Sequence, residues 1–195
     1  SMPAVDLSLV AYRPEPAMLA ALLESLGAAR GLERHLFVQD NGPDPAETEA
    51  LRAMPEVAVG PFASVDIVHS GTNLGFGRGH NANAARGRSP WLLVINQDCV
   101  VEPGALERLV AIAEADDPRV AAWEMRQVPY EHPKAYDPAT LDVPWVSGAA
   151  TLFRREAFAA AGGFDDAIFM YGEDVDLSWR LRARGHRLTY QPRCP

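Results

Sequence analysis

Residues 91–98 read Trp-Leu-Leu-Val-Ile-Asn-Gln-Asp, and this stretch decides the fold class. Five consecutive apolar residues followed by polar ones are typical of a strand that is buried on both faces of a parallel sheet. The pattern predicts further short strands at residues 5–10, 35–39, 65–69, 120–125, 146–153 and 187–191. Amphipathic helices are predicted between them, at about residues 18–26, 45–54, 80–86, 103–114 and 155–161. Strands that alternate with helices favour an α/β fold, Rossmann-like, with a mostly parallel sheet and helices on both faces.

The chain has 195 residues and a formal net charge of −8. This length predicts one domain, residues 1–195, that can bury a core without disulfides. The negative charge argues against a nucleic-acid partner, because such proteins carry a basic stripe. No apolar stretch is long enough to span a membrane. Cys99 and Cys194 lie far apart without metal-ligand spacing, which fits a reducing compartment better than a disulfide framework. Residues 1–2 are interpreted as a cloning scar, and the end at Pro195, soon after a predicted strand, suggests that a C-terminal extension is missing.

Five carboxylates surround an aromatic segment in residues 163–182, and Glu173, Asp174 and Asp176 fall in the first turn of a predicted helix. The N-terminus of a helix stabilises negative charge at this position. An acid on a rigid helix beside an apolar loop is suited to act as the general base for a hydroxyl nucleophile. The alternative is a well-capped surface helix with an ion pair between Asp176 and Arg180 at i,i+4 spacing.

Polar residues follow three of the predicted strands, at residues 11–13, 40–41 and 96–98. Ligands of open α/β sheets bind beyond the carboxyl ends of the strands, so these residues are candidates for a binding site. Asp98 can point a carboxylate at a divalent cation that also bridges two phosphates, because such hard cations prefer one or two carboxylates plus substrate oxygens. The alternative for Asp98 is a turn or N-cap residue before Pro103.

The loop at residues 71–81 is rich in glycine, but the glycines alternate and the loop follows the third predicted strand. A dinucleotide fingerprint has a different glycine spacing and follows the first strand, so the loop argues against a nicotinamide-dependent dehydrogenase. The glycines allow a ligand to approach the backbone, and Arg78 with nearby amides can meet a pyrophosphate. A plain flexible connection is the alternative.

A tryptophan stands where a stretch punctuated by prolines, residues 129–144, gives way to an apolar strand. The stretch predicts a long loop or flap. An exposed Trp145 can stack on a sugar ring, with Ser147 and Gly148 beside it, whereas a tryptophan in the core is the alternative. The five histidines show no metal-ligand spacing.

Six segments, taken in chain order, resemble the family 2 glycosyltransferases, and most closely their rhamnosyltransferase-like branch: residues 11–13, 38–42, 73–81, 93–98, 162–165 and 171–180. The resemblance covers nearly the whole chain. It implies a GT-A fold and an inverting transfer from a nucleotide-diphosphate sugar, such as deoxythymidine-diphosphate-rhamnose, to a hydroxyl of a glycan or lipid-linked acceptor. It further implies a Mn2+ or Mg2+ cofactor and a cytoplasmic enzyme that associates peripherally with the inner face of the membrane through segments beyond this chain.

The resemblance also assigns roles residue by residue. Asp174 would be the base with Glu173 beside it, and Asp98 would be the carboxylate at the metal. The donor sugar and the acceptor would be bordered by Trp145, Ser147 and Gly148. The nucleotide-sugar would be bound by residues at the strand ends and in the glycine-rich loop: Ala11, Tyr12, Arg13, Asp40, Asn41, Asn73, Gly75, Phe76, Arg78, Asn96 and Gln97.

Two departures from the family pattern bear on function. The position of the Asp-x-Asp-type metal motif reads Asn-Gln-Asp at residues 96–98, where related branches commonly have Asn-Pro-Asp. The chain also ends before the segment in which many relatives place a further histidine and a membrane-associated or acceptor-binding extension. A non-catalytic nucleotide-sugar-binding module of a larger protein is therefore the alternative. A nucleotidyltransferase would require a basic glycine-rich loop after the first strand, which residues 11–14 do not provide.

Overall fold

The computed structural model describes residues 1–128, 135–169 and 171–195. Strands and helices alternate along most of the chain, in the order β1 (Ala4–Ala11), α1 (Pro16–Gly27), β2 (Glu33–Asp40), α2 (Pro45–Ala53), α3 (Pro55–Ala58), β3 (Ser64–His69), α4 (Phe76–Arg86), β4 (Trp91–Ile95), α5 (Ala105–Ala115), β5 (Val120–Met125), β6 (Ala150–Arg154), α6 (Arg155–Ala160), α7 (Glu173–Ala183) and β7 (Arg187–Gln191). Within the described ranges, no helix is both long enough and apolar enough to cross a membrane.

Seven strands of the described ranges form one sheet, in the order β3-β2-β1-β4-β6-β5-β7. β6 runs antiparallel to its neighbours β4 and β5, and the other neighbouring strands run parallel. The prediction of a mostly parallel sheet is therefore confirmed. Ala11 pairs with Asp40 and Leu9 with Ile95, so the carboxyl ends of β1, β2 and β4 meet at one edge of the sheet. The candidate residues after these strands are thereby brought to a common edge.

Apolar side chains of the sheet enter two cores, one on each face. Leu93 of β4 belongs to one core, and its neighbours Leu92 and Val94 belong to the other, as the two-residue period of a strand requires. The first core includes the leucines of α1, and the second includes Leu177 and Leu181 of α7. Helices therefore cover both faces, and β4 is buried along its whole length as its sequence predicts.

Two predicted boundaries are wrong, and both errors lie at the edge where the candidate residues meet. The strand predicted at residues 146–153 is observed only at residues 150–154, because the backbone N–H groups of Val146, Ser147 and Gly148 donate to side chains and not to a neighbouring strand. The glycine-rich stretch is predicted to remain a loop as far as residue 79, but α4 already begins at residue 76. The proline-punctuated stretch at residues 129–144 contains one isolated bridge in its described part, residues 135–144, and its part at residues 129–134 lies outside the described residues.

Candidate active site

Asp174 lies in the first turn of α7, as the sequence predicts. The helix is entered through Gly172, whose φ of 86° is readily adopted only by glycine. One carboxylate oxygen of Asp174 accepts the backbone N–H of Val175 at 2.9 Å, and the other accepts that of Gly148 at 3.2 Å. These two donors fix the orientation of a half-buried carboxylate at a helix N-terminus, where negative charge is favoured. A carboxylate that is oriented and half-exposed in this way can accept a proton from a hydroxyl group.

The ion pair that was the alternative explanation of the acidic run is also present, but it involves a different acid. Asp176 and Arg180 pair at 2.9 Å with i,i+4 spacing. Arg180 also donates to the backbone carbonyls of Ala161 and Gly163, so the pair fastens the preceding loop to α7. Asp176 thus stabilises the local structure, and Asp174, two residues earlier, faces Gly148.

Glu173 differs from Asp174 in its surroundings. Glu173 is only 7% exposed, and its Oε2 atom forms no hydrogen bond with any of the described residues. Burial raises the pKa of the Glu173 carboxyl, and the nearby charge of Asp174 raises it further. A Cβ built on Gly77 would lie 3.8 Å from the Cβ of Glu173, which places Glu173 under the start of α4. The two acids of the pair therefore have separate environments, one half-open and one enclosed.

We expect Glu173→Gln to raise the melting temperature at pH 8 by on the order of 2–4 °C, about 1 kcal/mol for a chain of this size. The folded-state pKa of Glu173 lies above its unfolded value, so wild-type stability is lost as the pH rises through that raised pKa. Glutamine cannot ionise and avoids this loss. Melting curves from pH 4 to pH 8 test the expectation, since the difference should shrink toward pH 4. A difference that does not vary with pH would contradict the assignment of a buried, proton-binding Glu173.

The segment at residues 147–149 joins the acidic helix to the end of β4. Gly148 donates to Asp174, and the carbonyl of the next residue, Ala149, accepts the backbone N–H of Asn96 at 2.8 Å. Ser147 donates its N–H to the carboxylate of Glu124, at the end of β5, at 2.6 Å. Three elements distant in sequence are therefore held by three consecutive peptide groups. Through these bonds the segment at residues 147–149 contacts both the start of the turn that bears Asp98 and the helix that bears Asp174.

Gly148→Ala is expected to disturb this junction. A Cβ at residue 148 would lie 2.8 Å and 2.9 Å from two ring carbons of Phe76, closer than carbon atoms can approach. Relief requires the Phe76 ring or the segment to shift, at a cost of about 1–3 kcal/mol. Because Gly148 contacts Asp174, we expect the rate of the transfer that the sequence resemblance implies to fall by up to ~100-fold. Melting curves and initial rates check both effects, and a variant with wild-type values would show that the junction tolerates a methyl group.

Asp98 lies at the end of the turn after β4 and is exposed. It lines a hollow of about 400 Å³ together with Val100, Met125 and Gln127. No group of three or more His, Cys, Asp or Glu side chains within the described residues is arranged to hold a metal. The carboxylate of Asp98, with Glu102 as the other acid that lines this hollow, fits a hard cation only if substrate oxygens complete the coordination.

The side-chain amide of Gln97, which lies between Asn96 and Asp98, is hydrogen-bonded to the backbone of Tyr12. Its Oε1 accepts the backbone N–H of Tyr12 at 3.0 Å, and its Nε2 donates to the Tyr12 carbonyl at 3.1 Å. Residues 11–13 and 96–98 are therefore neighbours, as predicted for the ends of paired strands. Tyr12 remains 42% exposed as a residue, and its ring lies beside the guanidinium of Arg13.

Asp40 and Asn41, at the end of β2, are both buried. Asp40 accepts the N–H of Gly42 at 2.9 Å and the hydroxyl of Thr48. Asn41 donates to the carbonyl of Gly75 at 3.2 Å, which ties the end of β2 to the start of α4. Asp40 also lines a largely apolar hollow of about 470 Å³ between α1 and α2, with Arg13, Pro14, Pro16, Leu19, Glu47, Ala50, Leu51 and Met54.

The glycine-rich loop packs against the acidic run. Asn73 accepts the N–H of Gly75 at 3.0 Å, and Gly75, at φ 82°, turns the chain into α4. The ring of Phe76 packs edge-on against Phe164, with ring centroids 5.5 Å apart. Arg78 is exposed in the first turn of α4. The loop is therefore an ordered entrance to a helix and not a plain flexible connection.

Behind this loop, a buried polar cluster anchors α4 on β1. His80 is fully buried, with its Nδ1 2.7 Å from the hydroxyl of Ser8, and burial lowers the pKa of His80 to about 3. Asn83 donates to the same hydroxyl and to the carbonyl of Leu9. His80 is therefore neutral near pH 7, and its ring packs between α4 and β1.

Nine of the seventeen predicted residues form a connected ring at this edge of the sheet, which closes where the N–H of Asn41 donates to the carbonyl of Ala11. Contacts lead from Asn41 to Gly75, from Phe76 to Gly148 and Asp174, from residue 149 to Asn96, and from Gln97 to Tyr12. Trp145 is 38% exposed, so it is not the core tryptophan that was the alternative.

Two residues that support the ring were not predicted. Glu124 binds the N–H of Ser147, and Ser178 accepts the N–H of Val146 while donating to the carbonyl of Asp174. Glu124 could have been found, because a carboxylate inside an apolar strand is unusual unless it binds something. Ser178 carries no such signal in the sequence, since serine is common on helix surfaces.

The known proteins that this chain resembles in sequence and in structure are glycosyltransferases. The sequence profile of Glycosyl transferase family 2 matches residues 9–162. An N-acetylglucosaminyl-diphospho-decaprenol L-rhamnosyltransferase of Mycobacterium tuberculosis is 28% identical over 229 residues, covering 94% of this chain and 72% of that protein. The mannosyltransferase PcManGT of Pyrobaculum calidifontis, solved with GDP-Man and Mn2+, matches all of this chain with a TM-score of 0.78 and 17% identity. GalNAc-T7, solved with UDP, GalNAc and Mn2+, matches 98% with a TM-score of 0.80 and 14% identity. This chain spans 56% and 43% of those two solved chains.

Proposed function

The chain belongs to glycosyl transferase family 2, and we propose that it transfers a sugar from a nucleotide-diphosphate sugar to a hydroxyl group by a single inverting displacement. The glycosyltransferases that superpose on it share its architecture, so the expected GT-A fold is confirmed. The observation that carries the proposal is the contact of Gly148 with Asp174, because the adjoining peptide group also holds the turn that bears Asp98. The proposed base therefore contacts this three-residue segment, and the start of the turn that bears the proposed metal carboxylate contacts the same segment.

In the proposed reaction, Asp174 acts as the general base. The acceptor oxygen attacks the anomeric carbon from the face opposite the diphosphate, and its proton passes to a carboxylate oxygen of Asp174. The bond between the anomeric carbon and the diphosphate oxygen breaks, and the nucleoside diphosphate departs with the bonding electron pair. The half-open carboxylate of Asp174 and its fixed orientation support this role.

The departing diphosphate requires positive charge and hydrogen-bond donors. Asp98 would hold Mn2+ or Mg2+ together with diphosphate oxygens, and the bound ion would stabilise the charge that develops on the leaving group. Arg78 and the backbone N–H groups in the first turn of α4, which no side chain at the N-cap residue Gly75 caps, would supply further donors. The exposure of Asp98 and Arg78 supports these roles, because both side chains are accessible to a ligand.

The nucleoside is proposed to occupy the hollow beside Asp40 and Arg13. Its volume of about 470 Å³ lies in the range of small-molecule sites, and its apolar walls suit the faces of a base. The mycobacterial relative is named as an L-rhamnosyltransferase that acts on a diphospho-decaprenol-linked sugar. We therefore propose deoxythymidine-diphosphate-rhamnose as the donor and a glycan or lipid-linked glycan as the acceptor. A lipid-linked acceptor would place the reaction at the cytoplasmic face of a membrane.

A nucleotide-sugar-binding module without turnover is the second candidate. The observation that favours it is the metal motif, in which Asp98 is the one acid and Gln97 is engaged by Tyr12. Both candidates bind donor, so donor binding does not separate them. Release of nucleoside diphosphate in the presence of an acceptor separates them, because only the enzyme turns the donor over.

A melting-temperature screen tests the proposed function. Nucleotide-diphosphate sugars with deoxythymidine, uridine and guanosine bases are compared, each with and without Mn2+. A ligand that binds the folded chain alone raises the melting temperature, so we expect an increase of several degrees for the true donor at 100 times its Kd. Mn2+ alone and the matching nucleoside monophosphates serve as controls. If no nucleotide-diphosphate sugar shifts the melting temperature at millimolar concentration, the proposed function is wrong.

A further inference from the structure

A side-chain amide joins the ends of two neighbouring strands. Gln97 accepts the backbone N–H of Tyr12 at 3.0 Å and donates to the Tyr12 carbonyl at 3.1 Å, although the two residues are 85 positions apart in the chain. Both polar atoms of the amide are therefore engaged by the backbone of one residue. A carboxylate could not make this pair of bonds, because an ionised acid has no proton to donate to the carbonyl.

The amide continues the sheet beyond the point where backbone pairing ends. β1 and β4 pair as far as Leu9 and Ile95, and beyond them the N–H of Asn96 donates to Ala149. A primary amide carries the same donor and acceptor as a peptide group. In a parallel ladder the N–H and the carbonyl of one residue bond to two different residues of the neighbouring strand, whereas here one side chain supplies both partners to Tyr12.

The residue after Tyr12 has a strained backbone. Arg13 has a φ of 44°, in the left-handed region that residues other than glycine adopt at an energetic cost. Such a conformation persists where surrounding contacts hold it. The two bonds from Gln97 fix the peptide groups on both sides of Tyr12, and the guanidinium of Arg13 lies 5.5 Å from the Tyr12 ring centroid. The Gln97 amide therefore bonds to the residue next to Arg13, whose strained backbone conformation requires supporting contacts.

The segment that is held in this way forms one wall of the proposed nucleoside site. Arg13 and Pro14 line the hollow of about 470 Å³ that also contains Asp40. Asp40 is fixed from the other side by Gly42 and the hydroxyl of Thr48. The spacing between the two walls therefore depends on the backbone conformation at residues 12–13.

From these contacts we infer that Gln97 is a positioning residue, which sets the wall of the nucleoside site through Tyr12 and Arg13 and contacts neither the metal nor the diphosphate. The inference rests on the proposed function, because it takes the hollow beside Asp40 as the nucleoside site. It gives a role to the residue at which the metal motif departs from the pattern of related branches.

The test compares the wild-type chain with Gln97→Met, which keeps the side-chain length and removes both hydrogen-bonding groups. Isothermal titration with the diphosphates of deoxythymidine, uridine and guanosine, each with and without Mn2+, is expected to show roughly tenfold weaker binding by the variant. The factor by which Mn2+ strengthens binding should be the same in both proteins. Hydrogen exchange at the Tyr12 amide should become faster in the variant. The melting temperature of the free protein should fall by no more than about 2–4 °C, since exposed hydrogen bonds contribute little to global stability.

Several results would overturn the inference. One is equal nucleotide affinity of both proteins, and another is a Tyr12 amide that exchanges equally slowly in the variant. Loss of the gain from Mn2+ would also overturn it, because Gln97 would then belong to the metal site. Gln97→Asn, whose amide is one methylene shorter, is a second variant and should weaken binding in the same way. If the wild-type chain binds none of the nucleotides, the proposed function fails, while exchange at Tyr12 still tests the contact.

Discussion

Replacement of Asp174 by asparagine is expected to lower the rate of sugar transfer by ~100–10,000-fold, the contribution typical of a positioned general base. Asparagine has the same shape, and its carbonyl oxygen can still accept one of the N–H groups now bound by the carboxylate, from Gly148 or Val175. It cannot accept the acceptor's proton. Nucleotide affinity, measured by isothermal titration, should therefore stay close to wild type while kcat falls.

The matched control for this variant is Asp176→Asn. It removes the same charge from the same first turn of α7, and it breaks the ion pair with Arg180. Exposed pairs of this kind contribute about 0.3–0.5 kcal/mol, so the melting temperature should fall slightly and transfer should change by less than about threefold. Wild-type transfer by the Asp174 variant, or an equal loss in both variants, would contradict the assignment of Asp174 as the base.

Asp98→Ala is expected to abolish the part of nucleotide binding that depends on Mn2+ and to lower transfer by ~100-fold or more. A divalent ion at the leaving group supplies several kcal/mol of charge stabilisation, and Asp98 is the carboxylate that the turn after β4 offers to it. Isothermal titration of the nucleoside diphosphate with and without Mn2+ measures the first effect. The affinity without Mn2+ should be equal to or slightly above that of wild type, because a negative charge has been removed.

Glu102→Gln is the matched control for Asp98→Ala. Glu102 is exposed on the same loop and lines the same hollow, so its substitution removes a carboxylate from the same neighbourhood. We expect it to keep the gain in affinity from Mn2+. If both variants lose the gain in affinity from Mn2+ equally, the loss is due to the reduced negative charge of the loop and not to a missing Mn2+ ligand at residue 98.

The parts of the fold that were predicted correctly are those that depend on local pattern. β4 has five apolar residues in a row and is buried along its length, and its observed bounds are those that the sequence predicts. The acids at residues 173, 174 and 176 fall in the first turn of α7, since a helix N-terminus favours negative charge. The candidates at the strand ends meet because parallel strands share a carboxyl edge.

The parts that were missed depend on partners distant in the chain. The apolar residues from Val146 onward predict a strand, but Val146, Ser147 and Gly148 bond to side chains 32, 23 and 26 positions away. The glycines before residue 80 suggest a loop, yet a Cβ at Gly79 would lie 2.6 Å from a methyl of Val10. That glycine allows helix α4 to pack closely on β1. The sequence pattern does not indicate which distant side chain will form a hydrogen bond with a given backbone N–H group.

The central claim is spatial: a nucleoside diphosphate and its metal ion lie at the edge where the turn that bears Asp98 and the helix that bears Asp174 both contact the segment at residues 147–149. A crystal structure of the chain with deoxythymidine diphosphate and Mn2+ tests this most directly, with the ion located by its anomalous scattering. The account predicts an Mn2+ ion bound to the Asp98 carboxylate and to diphosphate oxygens, with the base beside Asp40. An ion bound at other acids, such as Asp165 and Asp166, or a nucleotide away from this edge, would contradict it.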